Sequence, residues 1–349
     1  MKDALINILN QAVNAPSGEN CQPWKFKIEN NQISIFNIPE RDQSFYNFMQ
    51  RGSLVAHGTL IENISIISSS FGFEPKISLF PEKDDQNLVA IISFSKSTPK
   101  DEPLCPYIIE RHTNRKPYKK TPLTAEQRQA ILNSAQQIGG GKIIFTEDRK
   151  NIKALSLDGA MNERLAIENE RLHNFLFSHI NWTKEENEKN KIGFYIKTLE
   201  LPPPAELAFK VFKNWKILKV LNKFGISKAV WRQNASVYAC SAAVGVIAIN
   251  GNRNKDFVTA GRIFQRAWLT ATKLGLNVQP TTGILFFAQK IMAGSLDPFS
   301  PNQVRLIKES VENIRKIFKL QNETIPMMFR VGYSDPPTAK ALKLKPEII

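Results

Sequence analysis

Hydrophobic and polar positions alternate along this chain in an order that is stated twice. In "ALINILNQAV" (residues 4–13), Leu5, Ile8, Leu9 and Ala12 fall on one helical face. "WKFKI" (24–28) alternates as a strand does and runs into a turn at Glu29–Asn31. "HGTLIENISIISSSFGFEP" (His57–Pro75) is a long amphipathic helix closed by Gly72, a residue suited to the positive φ of a helix C-terminus. The strand "LVAIISFS" (Leu88–Ser95) follows it.

The second pass begins at "ILNSA" (Ile131–Ala135), an echo of "ILNQA" (Ile8–Ala12), and runs through "QQIGGG" to "KIIFTED". "AGRIFQRAWLTATKLGLNVQP" (Ala260–Pro280) then repeats the long helix, with Gly261 and Gly275 spaced as Gly58 and Gly72 are. The strand "MMFRVGYS" (Met327–Ser334) closes the pass. The repetition predicts an α+β fold of two tandem units, antiparallel-rich sheets flanked by helices, over residues 1–104 and 105–349. The join falls near Pro99–Pro106.

The second unit is interrupted before the strand "SVYACSAAVGVIAIN" (Ser236–Asn250), and the interruption predicts a helical insertion at about 150–231. It holds "TKEENEKNK", a Pro202–Pro204 breaker and a basic 207–228 segment. There Lys210, Lys213, Lys216 and Lys219 recur every third residue among Phe212, Trp215, Leu218 and Leu221. Such a segment suits a membrane-surface helix. It better suits a lid or packing helix with a solvated lysine face, the plainer of the two readings.

Composition narrows the class. With 349 residues, 42% hydrophobic and 23% charged, the chain is long enough for two core-sized units. It lacks any apolar run near the roughly 20 residues of a membrane span. Its first residues lack a signal-peptide pattern, and Cys21, Cys105 and Cys240 are scattered without a CxxC pair. A cytoplasmic protein with reduced thiols is the expectation. The net charge of +15 favours anionic partners. No helix-turn-helix, RNP or zinc-finger pattern accompanies it, so nucleic acid is not expected.

Candidate chemistry is sparse. "GGGK" (Gly139–Lys142) lacks the Ser or Thr and the following helix of a P-loop. Neither GxGxxG, GxSxG nor HExxH occurs, and His57, His112, His173 and His179 have no metal-ligand spacing. "IIERHTNRKPY" (Ile108–Tyr118) sets Arg111 and Arg115 one helical turn apart around His112, Thr113 and Asn114. Two guanidiniums and a hydroxyl suit a phosphate dianion, and they equally suit a solvated basic turn. Near the C-terminus, "ALKLKP" alternates Lys343 and Lys345 around Leu344, so an extended tail would aim both ammoniums to one side.

Two of these stretches carry a resemblance. "PSGENCQPW" (Pro16–Trp24) resembles the PSSxNxQPW loop, and "RHTNR" (Arg111–Arg115) the RHSxK/R motif, of FMN-dependent nitroreductases. The chain is most similar to their long, internally duplicated branch, the mycobacterial Acg-like proteins. Ordinary members form homodimers in which the two motifs meet across the subunit interface. Here the motifs stand in reversed order in different halves, which implies a nitroreductase-like intramolecular pseudo-dimer, a monomer with one FMN.

The resemblance assigns the phosphate to Arg111, His112, Thr113, Arg115, Lys343 and Lys345. It assigns the flavin ring to Pro16, Ser17, Gly18, Asn20 and Gln233, with a main-chain N–H from Thr282–Gly283. Gly18 stands where the family has a serine. The implied activity is that of an oxidoreductase carrying hydride from NADPH or NADH through FMN to a nitroaromatic or quinone-like acceptor. No protein acid, base or nucleophile is required for it. A catalytically idle FMN-sequestering protein, its flavin covered by a lid, is the alternative. No nucleic acid and no stable membrane insertion are implied.

Overall fold

The computed structural model describes residues 1–82 and 84–349. The first half contributes β1 (Trp24–Glu29), β2 (Gln32–Asn37), β3 (Phe73–Leu79) and β4 (Leu88–Lys96). The second opens with β5 (Gly141–Thr146). A helical insert follows, with two short paired strands, β6 (Ile180–Asn181) and β7 (Phe194–Tyr195). The half is completed by β8 (Ala243–Ile249), β9 (Asn277–Pro280) and β10 (Thr324–Gly332).

The two sheets have the orders β1-β2-β4-β3 and β5-β8-β10-β9, antiparallel throughout. Strand for strand these are one topology, used twice. Each half also holds a 20-residue helix, Arg51–Ser70 in the first and Asn254–Lys273 in the second. Their closing glycines, Gly72 and Gly275, have φ of +73° and +72°. That left-handed geometry is open to glycine at little cost.

The two long helices cross at their leading glycines. A Cβ on Gly58 would lie 2.0 Å from the Val258 carbonyl oxygen, and one on Gly261 would lie 2.0 Å from that of Val55. Only hydrogen at both positions permits this approach. Beside the crossing, fully buried Glu62 pairs with Arg262 and Arg266 at 3.0 and 2.5 Å. Gln265 donates to Asn63 at 2.7 Å. One apolar core runs through the join, from Leu5, Phe26 and Ile61 to Trp268 and Phe329. The halves are therefore packed as the subunits of a tight dimer would be.

The insert between β5 and β8 is mostly helical and has its own apolar cluster of Ile167, Phe177, Phe212 and Leu218. "TKEENEKNK" forms the helix Lys184–Asn190, which Thr183 and Glu186 close with a capping box. The basic 207–228 segment is not one helix. Asn214 caps a new one with its side chain, so helices Pro203–Phe212 and Trp215–Lys223 are separate. The strand expected at Ser236–Asn250 starts only at Ala243, because Ser236–Ala239 forms the last turn of helix Ile226–Ala239. Among the described residues, no helix is long and apolar enough to cross a membrane.

After β10 the chain crosses back to the first half. Phe26 N–H donates to the Glu347 carbonyl, and Ile349 N–H donates to the Phe26 carbonyl, each at 2.8 Å. The tail thus covers the open edge of β1 in parallel.

Candidate functional site

The site is built where the tail passes the first connection of the chain. Helix Lys2–Ala12 ends at Val13, and the next residues form a tight loop before β1. Glu19, Asn20 and Gln22 have φ of 43°, 56° and 50°, an unusual run of left-handed non-glycine residues. Hydrogen bonds hold it. Gln22 N–H donates to Ser17 Oγ at 3.0 Å, Gln22 Nε2 to the Asn20 carbonyl at 3.2 Å, and Thr59 Oγ1 to the Pro16 carbonyl at 3.1 Å. Gly18 is exposed, and a Cβ there would come no nearer than 3.9 Å to Asp42, so the backbone does not demand glycine.

Two cations are aimed at this loop. Lys343 Nζ donates to the Ala15 carbonyl at 2.8 Å and to Asn20 Oδ1 at 2.7 Å. Arg111 Nη2 donates to the Asn14 carbonyl at 2.8 Å, and its guanidinium lies 4.4 Å from the Trp268 ring centre. Arg111 is buried, and its Nε has no partner among the described residues. Burial brings its pKa down to about 9. Burial, and then the neighbouring Arg111 charge, bring Lys343 down to about 7. Among the described residues, no carboxylate pairs with Arg111, Arg115 or Lys343. Enclosed charge without a counter-ion is costly, so this corner is disposed to take an anion.

The rest of the predicted basic set is arranged otherwise than the spacing suggested. Residues 111–115 are not a helical turn. The short helix stops at Glu110, Arg111 is extended at φ −57°, ψ 128°, and Thr113 bridges to Val278 beside β9. Lys116 precedes Pro117, which disfavours helix there. Arg115 consequently faces another wall, donating to the Thr198 carbonyl at 2.9 Å with its guanidinium 5.3 Å from the Phe194 ring. His112 turns back on the Glu110 carbonyl, its Nδ1 2.6 Å away.

Lys345 is exposed rather than level with Lys343. β-pairing of the tail begins only at Glu347, so the two-residue period fails before it. Gln233 is exposed on helix Ile226–Ala239, which continues through the first residues of the strand that the sequence predicted from Ser236. Thr282 is buried, donating to the Met328 carbonyl at 3.1 Å. Gly283 opens a helix against Asn162 of the insert, whose unpartnered Oδ1 would lie 2.5 Å from a Cβ.

Residues without a sequence signal complete the surroundings. The insert is tied to the loop: Asn20 Nδ2 and Gln22 Nε2 both donate to the Lys191 carbonyl, at 2.9 and 2.8 Å, and Gly193 N–H donates to the Glu19 carbonyl at 2.9 Å. Burial, and then Asp42, push Glu19 up to about 8. Glu163 accepts from the Tyr238 hydroxyl at 2.7 Å and leaves its other oxygen unpartnered, with its pKa raised by burial. Gln22 was visible as part of the motif. The carbonyls of Lys191 and Thr198 carry no side-chain signature at all.

A duplicated α+β chain with a basic corner built from the first half's loop, the second half's arginine segment and the tail defines the class. The comparisons agree with it. An uncharacterized protein of Mycobacterium tuberculosis (strain CDC 1551 / Oshkosh) is 23% identical over 339 residues, 95% of this chain and 46% of that one. A protein of the same strain, provisionally named an NAD(P)H nitroreductase, is 26% identical over 139 residues, 39% of this chain and 40% of that one. Another of that name, acg, is 24% identical over 123 residues, 34% and 37% of the two chains. The matched stretches thus span less than half the length of each relative.

A solved structure, the FMN-dependent nitroreductase NfnB from Mycobacterium smegmatis in complex with NADPH, aligns over 66% of this chain and 86% of that one. Its identity is 12% and its TM-score 0.37, too loose a superposition to support an argument. No family model matches the chain. With its two motifs and its doubled topology, the chain is similar to the Acg-like branch of the nitroreductases.

Proposed function

We propose that this chain is an FMN-binding oxidoreductase of the nitroreductase type, oxidising NAD(P)H and reducing a nitroaromatic or quinone-like acceptor. The observation that carries the reading is the pair of enclosed, carboxylate-free cations, Arg111 and Lys343, converging on the Asn14–Asn20 loop. The donor set fits a phosphate. Arg111 has a buried Nε without a partner, and a dianion would supply the missing acceptor and the missing countercharge together.

In this reading Arg111, Thr113 and Lys343 hold the phosphate, while Ser17, Asn20, Arg115 and the Thr282–Gly283 backbone belong to the ring. When bound, the flavin supplies the two-electron chemistry, taking hydride from a nicotinamide and handing it to an acceptor. The chain's own contribution is to bind, orient and enclose. Trp268 backs the Arg111 guanidinium, and Asn20 fixes Lys343 while gripping the insert. The insert, residues 150–231, acts as a lid, and one chain provides one site within a monomeric pseudo-dimer.

The lid contacts favour a second reading, an FMN-sequestering protein with little turnover. Lys191 and Thr198 of the insert take hydrogen bonds from Asn20, Gln22 and Arg115, which ties the insert down over groups that this reading assigns to the flavin ring. The deciding experiment is the absorption spectrum of the purified protein, with FMN added, before and after NADPH or NADH under anaerobic conditions. Bleaching supports the reductase, and a persistent oxidised spectrum supports sequestration. Failure to retain FMN at all refutes both.

A further inference from the structure

The basic segment of the insert is not absorbed by the site. Its two helices expose a run of large apolar side chains: Leu207 (67% exposed), Val211, Ile217, Val220 and Phe224 (83% exposed). On helix Trp215–Lys223 the arrangement is ordered. Leu218 is fully buried against Phe212 and Phe177, while Ile217, Val220 and Phe224 lie at i, i+3 and i+7 on a different, exposed stripe. Lys216, Lys219 and Lys223 repeat the same spacing one residue earlier, forming a lysine stripe beside the apolar one. The helix therefore has three stripes, of which only one is needed for folding.

The lysines of the segment divide into two groups. Lys210 pairs with Glu206, and Lys213 lies over the Trp182 ring. Lys216, Lys219 and Lys223 form no ion pair among the described residues. A second copy of this face would meet lysine with lysine and be repelled. Nucleic acid would engage the lysines but leave a solvated aliphatic stripe with nothing to cover it. An interface that is apolar at acyl depth and anionic at its surface satisfies both stripes together.

We propose that helices Pro203–Phe212 and Trp215–Lys223 are a peripheral docking surface for an anionic lipid bilayer. Ile217, Val220 and Phe224 would enter the acyl boundary, and Lys216, Lys219 and Lys223 would lie at the headgroups. The contact is reversible and interfacial, since neither helix is long enough to span a bilayer. It is independent of the flavin reading, because none of these side chains touches the Arg111–Lys343 corner.

The test is co-sedimentation of the full chain with vesicles of phosphatidylcholine alone and of phosphatidylcholine mixed with phosphatidylglycerol. Expected is binding to the anionic vesicles only, weakening as salt rises. The triple variant Lys216→Gln, Lys219→Gln, Lys223→Gln should lose on the order of a hundredfold in affinity, roughly fivefold per lysine. Val220→Ser with Phe224→Ser alters exposed side chains only, and should weaken binding while leaving circular dichroism unchanged. No binding to anionic vesicles at low salt overturns the proposal. So does binding by both variants that is undiminished from that of the unsubstituted chain.

Discussion

Lys343 gives the sharpest test of the anion site, because its protonation should report occupancy. Burial and Arg111 bring its pKa to about 7 in the ligand-free chain. At pH 8 it then carries about a tenth of a proton. A phosphate dianion beside it would restore the ordinary lysine value of about 10.4, so binding takes up about 0.9 proton. Arg111, at about 9, adds roughly a tenth. At pH 6 Lys343 is already protonated, while a phosphate monoester with a second pKa near 6 must shed about half a proton to bind as the dianion. The sign therefore reverses, from uptake of about one proton at pH 8 to a small release at pH 6. Titration calorimetry of FMN in buffers of different ionisation enthalpy measures this directly, and Lys343→Met should abolish most of the uptake at pH 8. The same linkage acts on stability. The unfolded chain binds the extra proton between pH 7 and about 10.4, so the ligand-free fold gains stability as pH rises through that window, and the penalty is complete below it. Tight FMN binding with no proton uptake at pH 8 would falsify the placement of the phosphate at Lys343.

Arg111→Met should weaken FMN binding by about 1–3 kcal/mol, yet leave the ligand-free protein as stable as before or more so, because an unpaired enclosed cation is removed; fluorescence titration and urea unfolding should diverge in sign. Asn20→Ala removes donors to the Lys191 and Leu342 carbonyls and an acceptor for Lys343, and should raise hydrogen exchange across residues 191–200 while costing about 1–3 kcal/mol of stability. Unaltered exchange there would mean the loop does not anchor the insert. Gly58→Val places a branched side chain where even a Cβ meets a carbonyl oxygen at 2.0 Å, and should cost about 3 kcal/mol of stability, read as a lower urea midpoint, or prevent folding. Glu62→Gln probes the same join through its charge, costing about 3 kcal/mol as Arg262 and Arg266 lose their countercharge.

Much of the fold was legible because duplication writes each signal twice. The glycine pairs Gly58/Gly72 and Gly261/Gly275 marked two helices of one kind, and the structure gives the leading pair a reason that the spacing alone did not. They are the contact point of the halves, where two backbones touch. Alternating strands were equally plain. What misled was local period carried past its physical cause. Arg111 and Arg115 look like a helical pair, but Pro117 and the pairing of Thr113 with Val278 hold the segment extended and part the two guanidiniums. Lys343 and Lys345 look like a strand pair, but the tail finds its strand partner only at Glu347. The strand expected from Ser236 begins only at Ala243, because a helical turn occupies its first residues.

The site was half legible for a related reason. "PSGENCQPW" announces itself through side chains, whereas the residues that meet it from the insert do so through main-chain groups of Lys191 and Gly193, which any sequence could supply. The asymmetry of the two halves is physical in the same way. The connection after helix Lys2–Ala12 has three left-handed non-glycine residues held by Ser17, Asn20 and Gln22, while the corresponding connection before β5 runs through Gln137, whose amide is engaged by Arg266, and Ile138 to Gly139 and Gly140, both at positive φ. A glycine turn makes the chain's corner at low strain but offers no hydroxyl, amide or enclosed carbonyl to a ligand. The left-handed loop is strained, and the groups it turns inward are those that Arg111 and Lys343 meet. Strain and enclosed charge thus fall on the same side of the pseudo-symmetric chain, and that coincidence is the reason to expect a single ligand there.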